Sequence, residues 1–253
     1  PNHAPLVVAE AFGTLAELYP GRIDLGLGRA PGTDGLTMRA LRRDRVESED
    51  DFPNDVAELQ ALLGPAVPGQ RVIAMPGQGT NVPIWLLGSS LFSARLAAQR
   101  GLPFAFASHF APRLLMQALQ VYRETFQPSA VLDKPYVAIG VPLIAAPTDD
   151  EAEYLASSTY QRVLGILTGR RGQLPPPVHG FVERLHPQER AGIADFLAAA
   201  VIGGPATVRA GLERLAELTE ADEFVVVCDV FDPALRLRSL DIAAEAMQVA
   251  ATA

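Results

Sequence analysis

Three stretches of this 253-residue chain carry residues whose types and spacing could do chemistry. The first is PGRIDLGLGRAPG, residues 20–32. Here Ile23, Leu25 and Leu27 alternate with Asp24, Gly26 and Gly28 at the period of a strand, so one face is bulky and the other nearly bare. A bare strand face lets a flat ligand approach the backbone. Arg29, just past the strand end, is placed to meet a phosphate or a carboxylate. A plain tight turn with a solvated arginine fits the same residues. The second stretch runs from Pro83, where an apolar strand gives way to Gly88, Ser89 and Ser90 and then to a helix. Free amides at a helix start, with two hydroxyls beside them, suit a phosphate. A serine that merely caps the helix is the competing reading. The third is His109, which follows a strand and could titrate near neutral pH or hydrogen-bond a substrate. A structural role in its loop is the alternative.

Other motifs fail on spacing. Gly26, Gly28 and Gly32 read G-x-G-x-x-x-G, and Pro31 opposes a helix opening there, so the dinucleotide fingerprint is not met. No G-x-S-x-G, P-loop or CxxC occurs, and no histidine pair has metal-ligand spacing, so no metal is expected. His3 reads as a cap before the first helix, and His179 and His186 as solvated. The carboxylates among residues 149–153 read as a solvated helix face. Cys228, the only cysteine, lies in EFVVVCDV and reads as a small hydrophobe in a buried strand.

Composition narrows the partners. The chain is 49% hydrophobic and 20% charged, with a net charge of −8 and Lys134 as its single lysine. No basic stripe emerges, so nucleic acid is not an expected partner. No apolar run approaches the roughly 20 residues of a membrane span, and no secretory signal is visible, so a cytoplasmic location is expected.

These residues need strands to position them. Strand patterns fall at 23–27, 82–87, 103–107, 136–146 and 223–230, with Pro142 hinting at a bulge or edge and 71–75 a possible short extended piece. Helical patterns fall at 6–18, 55–63, 90–100, 113–126, 148–168, 186–199, 206–219 and from 233 to near 249. Such alternation predicts a parallel sheet with helical crossovers in one domain, residues 1–253. The proline-rich loop at 169–180 reads as a mobile segment. Arg29, the Gly88–Ser90 turn and His109 all follow strands, where barrel ligand sites collect.

The order of these motifs resembles the bacterial luciferase-like flavin-dependent monooxygenases. PNHAPLVVAEAFGTLAELYPGRIDLGLGRAPG is similar to that family's fourth-strand region. LLGSSLFSARLAAQRGLPFAFASHF is similar to its fifth strand, helix and sixth strand, and ADEFVVVCDVFDPALRLRSLDIAAEA to its eighth strand and final helix. The resemblance implies an α/β fold of the (β/α)8 TIM-barrel type, N-terminally incomplete, holding strands four to eight. Three βα units, on the order of 90 residues, would be absent. It implies reduced FMN as cofactor, with F420 as the alternative. By resemblance Arg29 contacts the flavin phosphate, Ala30 and Pro31 lie beside the cofactor, and Gly88, Ser89 and Ser90 complete the phosphate cradle. Residues 168–180 would form a lid, closed by Arg170 or Arg171. The family's catalytic histidine would fall in the absent part, leaving His109 as the only local candidate.

The implied activity is monooxygenation of a small organic substrate, aldehyde-like or other, by reduced FMN and O2. A separate flavin reductase and a homodimeric assembly are implied with it. F420-dependent hydride transfer, a non-catalytic flavin-binding protein and a phosphosugar barrel enzyme are the alternatives. An open five-stranded sheet would expose two edges, so poor solubility or weak flavin binding is expected of the isolated chain.

Overall fold

A computed structural model describes residues 3–29, 51–170 and 172–251. Two compact units are present, one of residues 1–105 with 120–136, the other of 106–119 with 137–253.

In the first unit, helix α1 (Pro5–Leu18) begins on a proline at its first turn, where the missing amide is of no consequence. Strand β1 (Leu25–Gly28) follows, then α2 (Phe52–Leu63), β2 (Ile84–Gly88), α3 (Leu91–Arg100) and β3 (Phe104–Phe106). β1 and β2 are parallel, in the register Leu25↔Ile84 to Gly28↔Leu87. The ladder is continued by bonds from the Leu86 amide to the Pro103 carbonyl (3.0 Å) and from the Phe104 amide to the Tyr136 carbonyl (3.0 Å). α3 stops at Gly101, which takes the left-handed conformation that glycine tolerates without a Cβ clash. The core gathers Val56, Leu59, Ile84, Leu86, Phe104 and Tyr122. Tyr122 is fully buried, and its hydroxyl donates to the Leu102 carbonyl at 2.8 Å and accepts from the Tyr136 amide at 3.2 Å.

After a 3-10 turn (Pro112–Leu114), α4 (Leu115–Thr125) precedes the second unit's main strand, β4 (Val137–Ala145). Helix α5 (Asp149–Leu167) is capped by the Thr148 hydroxyl, which accepts from the Glu151 amide at 3.2 Å, and has three acidic residues in its first turn. α6 (Pro187–Phe196), β5 (Val201–Gly203), α7 (Pro205–Thr219), β6 (Glu223–Val227) and α8 (Pro233–Ala251) complete it. β6 lies parallel along the first part of β4, Ala138↔Glu223 to Pro142↔Val227. β5 pairs with the last part, Leu143↔Val201 to Ala145↔Gly203. A buried cluster of Tyr160, Leu185, Ile193 and Val230 ties α5 and α6 together.

The parallel α/β class matches the sequence expectation, with three local differences. Six strands are found among the described residues, because Val201–Gly203 forms β5. Residues 71–75 form no strand. Pro142 does not end β4, which runs on to Ala145, but the pairing changes there: the β4–β6 register ends at Pro142↔Val227 and the β4–β5 register begins at Leu143↔Val201.

Candidate functional site

The β1–β2 register decides what the glycine-rich strand offers. Paired residues of parallel strands share a face, so Gly26 and Gly28 lie on one face with Trp85 and Leu87. Leu25, Leu27, Ile84 and Leu86 lie on the other, and Leu25, Ile84 and Leu86 are buried. The Gly26 backbone is exposed, as expected of a bare face, but a Cβ there would meet Leu87 Cδ1 at 2.8 Å, so the Leu87 side chain stands beside it. The space at Gly28 is open, the nearest atom being the Leu87 carbonyl oxygen at 4.0 Å. Leu87 remains 38% exposed, and the Trp85 ring is braced edge-on by Tyr136, with centroids 5.6 Å apart. The result is an apolar shelf one residue short of Arg29. A cavity of about 260 Å³ lies between α1, α2 and β1, and Gly26 and Gly28 line it together with Val8, Phe12, Phe52 and Leu59.

Gly28 pairs with Leu87, so Arg29 and Gly88 leave the two strands at the same level. Arg29 turns toward α3, its guanidinium carbon 4.4 Å from the centroid of the Phe92 ring in that helix's first turn. Ser90 stands at the N-cap with extended backbone, but its hydroxyl makes no capping bond. Ser90 thus holds the N-cap position, as the capping reading had it, with its hydroxyl not used for a capping bond. Gly88 is needed for a close approach, since a Cβ there would collide with the Oγ and Cβ of Ser93. Thus a cation, two hydroxyl residues and the opening of α3 meet at the C-terminal ends of two adjacent strands. Ala30 and Pro31 lie outside the described residues, as does Arg171.

His109 belongs to the other unit, in a tight turn closed by a bond from the Phe110 amide to the Ala107 carbonyl (3.0 Å). Its imidazole lies against Gly140, where a Cβ would sit 2.5 Å from Nδ1. The buried Ser108 hydroxyl donates to the Gly140 carbonyl at 2.5 Å and pins the turn to β4. Buried His109 Nδ1 lies close to that backbone but makes no well-aligned hydrogen bond. Burial pushes the His109 pKa below its ordinary value, opposed by the Gly140 backbone and the Asp229 carboxylate and reinforced by Arg162. Arg162 donates through Nη2 to Asp229 Oδ2 at 2.5 Å, and its buried Nε has no hydrogen-bond partner. Arg162 and Asp229 escaped the sequence reading because 67 residues separate them and neither sits in a motif.

Other expectations hold in part. The N-cap of α1 is Ala4 and not His3. His179 and His186 are exposed, as expected. His179 also stacks on Tyr154, with centroids 4.0 Å apart and planes 16° from parallel, and His186 begins α6, its amide held by the Glu189 carboxylate at 2.9 Å. The segment read as a lid is pinned to α5 near its end, by the Val178 amide on Ser157 Oγ (2.8 Å) and Gln161 Nε2 on the Pro176 carbonyl (2.9 Å). Arg170 is exposed. Val225 of β6 is 53% exposed, because alternation sends Phe224 and Val226 toward a cavity shared with α7 and α8, and Val225 to the opposite face. An apolar cavity of about 450 Å³ between α5, α6 and β5 is lined by Tyr160, Leu185, Ile193 and Ile202. Burial, with the Glu153 carboxylate that accepts from it at 2.9 Å, raises the Tyr160 pKa and keeps that hydroxyl protonated. Among the described residues, no group of His, Cys, Asp and Glu could hold a metal ion, and no helix is long and apolar enough to cross a membrane.

Parallel strands crossed by helices, with polar residues gathered at the strand ends, define an α/β protein of the kind that houses ligands at that end. Residues 1–221 match the sequence profile of the luciferase-like monooxygenase family, and the chain belongs to that family of oxidoreductases. It is 51% identical over 243 residues to a luciferase-like monooxygenase of Escherichia coli (strain K12), covering 96% of this chain and 72% of that one. Apo-MsnO8 superposes with a TM-score of 0.83 at 33% identity, over 98% of this chain and 75% of its own. Two more distant structures share the fold. One is the oxygenating constituent of 3,6-diketocamphane monooxygenase from Pseudomonas putida in complex with FMN (TM-score 0.66, 18% identity, 96% and 74% covered). The other is an F420-dependent secondary alcohol dehydrogenase (TM-score 0.65, 14% identity, 96% and 75% covered). The chain thus spans about three quarters of the length of these relatives.

Proposed function

We propose that this chain holds reduced FMN by its phosphate in a monooxygenase acting with O2 on a small organic substrate. The observation that carries this reading is the Arg29 guanidinium over Phe92, in the first turn of the helix whose Ser90 hydroxyl makes no capping bond. The residues fit a phosphate: a cation, hydroxyls at Ser89 and Ser90, and the free amides of a helix start. Gly88 contributes by absence of a side chain, which lets the turn settle onto Ser93. The shelf of Gly28, Leu87 and Trp85 suits a flat, apolar ring. Leu87 stands beside the exposed Gly26 backbone on that face. Ala30 and Pro31 are assigned beside the cofactor by family resemblance. Bound reduced FMN supplies two electrons and the means to activate oxygen. The chain holds the phosphate, orients the ring and keeps water from it. A separate flavin reductase, a homodimer and a cytoplasmic setting complete the proposal.

The test is FMN titration of the chain, followed by the quenching of flavin fluorescence, together with oxygen uptake on added reduced FMN and candidate aldehydes. Saturable binding, weakened about tenfold or more in Arg29→Ala and in Ser90→Ala, is expected, as hydrogen bonds to a charged group contribute about 1.5–3 kcal/mol. Binding untouched by both substitutions would remove the clamp. F420-dependent hydride transfer is the second reading, favoured by the shared fold of the F420-dependent dehydrogenase. The absorption spectrum of the cofactor extracted from the protein separates the two. Tight FMN binding with no oxygen uptake would point to a flavin-binding protein without catalysis.

A further inference from the structure

The cavity of about 450 Å³ between α5, α6 and β5 lies wholly within the second unit. Its wall is largely hydrocarbon, from Val182, Leu185, Ile193, Leu197 and Ile202. Leu185 and Ile193 belong to the buried cluster there, whereas Val182, Leu197 and Ile202 pack on that cluster and are only half-buried. Folding thus leaves apolar surface facing an open space, and an apolar ligand that fills the space takes that surface out of water. An apolar wall of this extent with a few polar groups has the makeup of a small-molecule pocket.

The polar groups narrow the ligand. The Tyr160 hydroxyl donates to Glu153 Oε2 at 2.9 Å, so its proton is already committed. Burial and the Glu153 carboxylate keep that proton on the tyrosine. Glu153 is exposed, and its Oε1 makes no hydrogen bond among the described residues, so it is open to a donor from a ligand. Arg190 of α6 lines the same cavity, held by bonds from Nε to the Leu185 carbonyl (3.2 Å) and from Nη2 to the Glu183 carbonyl (3.1 Å). Glu153 and Arg190 give the wall one charge of each sign, so a neutral ligand matches it. Such a ligand donates one hydrogen bond and carries a hydrocarbon chain.

We propose that this cavity binds an aliphatic alcohol, its hydroxyl donating to Glu153 Oε1 and its chain lying along Leu185, Ile193, Leu197 and Ile202. Tyr160 holds the carboxylate through the other oxygen. No covalent step is involved. The site goes beyond the flavin reading and does not rest on it.

The test is a titration of the chain with hexanol, no flavin added, followed by NMR of the isoleucine methyl groups, with Ile193 and Ile202 assigned through Ile193→Val and Ile202→Val. Saturable shifts of these two residues are expected. Affinity should rise about fourfold per methylene from butanol to hexanol, the tightening given by about 0.8 kcal/mol per buried methylene. Glu153→Leu should weaken hexanol about tenfold or more, as loss of a hydrogen bond to a charged group does. Ala194→Phe, at an exposed position of the wall, should fill the cavity and abolish the shifts. Hexanoate and hexylammonium, each of which must bring a net charge against an apolar wall, should bind about tenfold more weakly or less. The proposal is overturned by shifts that do not saturate, by equal affinities for butanol and hexanol, by hexanol binding unchanged in either variant, or by a charged relative that binds as well as hexanol. The chain-length series uses the wild-type chain alone and decides the matter even where a variant does not fold. Failure of the FMN titration would leave this result unchanged, so the two readings fail separately.

Discussion

The guanidinium carbon of Arg29 stands 4.4 Å from the centroid of the Phe92 ring. The side chain that ends one strand is thus steadied by the helix that follows the neighbouring strand. The Gly28↔Leu87 register makes this reach possible. An aromatic face holds a cation with about 0.5–1 kcal/mol at an exposed site. Phe92→Ala is therefore expected to weaken FMN binding only about two- to fivefold, less than Arg29→Ala. Fluorescence titration of both variants checks the order; equal losses would mean that Phe92 does more than steady the arginine.

Two glycines of the same site should respond differently to alanine. At Gly88 the new Cβ collides with Ser93, whose Cβ is fixed by α3. Gly88→Ala should cost about 1–3 kcal/mol, as overpacking does, and should disturb the clamp. At Gly26 the new Cβ meets the flexible end of Leu87, which is partly exposed and can rotate away. Urea unfolding of the two variants is expected to show the larger loss for Gly88→Ala.

Gly140→Ala places a methyl group 2.5 Å from His109 Nδ1. The imidazole must leave its place. The expected readout is a displaced His109 ring resonance with a midpoint nearer that of a solvated histidine. A ring signal unchanged from wild type would show that the imidazole does not rest on Gly140.

The pH dependence of stability has a definite sign at His109. Burial lowers its folded pKa below the ordinary 6.5, so in the interval between the two values the unfolded chain binds more protons. Stability therefore rises with pH through that interval and falls on acidification below 6.5, levelling once the folded pKa is passed. His109→Gln should flatten this segment of a plot of urea midpoint against pH.

Asp149 acts in a lower window. Its Oδ1 accepts from the Gly204 amide at 2.6 Å, and that bond, with one from Thr207, holds its pKa below 3.8. The contribution is complete above 3.8 and is lost as pH falls through the lowered value. Asp149→Asn should lose this acid-side slope while the slope due to His109 remains.

Much of the fold is legible locally. Pro5, Thr148 and Gly101 each mark a helix end by chemistry acting within one turn, and each marks it in the structure. β5 escaped because three residues carry too little periodicity, and it becomes a strand by pairing with Leu143–Ala145 on β4. His179 is exposed as read, but nothing nearby in sequence predicts the Tyr154 ring on which it stacks, 25 residues earlier.

The candidate site divides the same way. By itself the sequence determined the residue types of the clamp and their placement just past strand ends, because a strand's two-residue period and a helix's start are local properties. Only the tertiary structure decided how much room each glycine leaves for a side chain. Leu87 would meet a Cβ at Gly26, whereas a Cβ at Gly28 is not crowded, an outcome of register between strands some 60 residues apart. Likewise it alone brought Arg162 and Asp229 to bear on His109, since electrostatic coupling depends on distance in space and not along the chain.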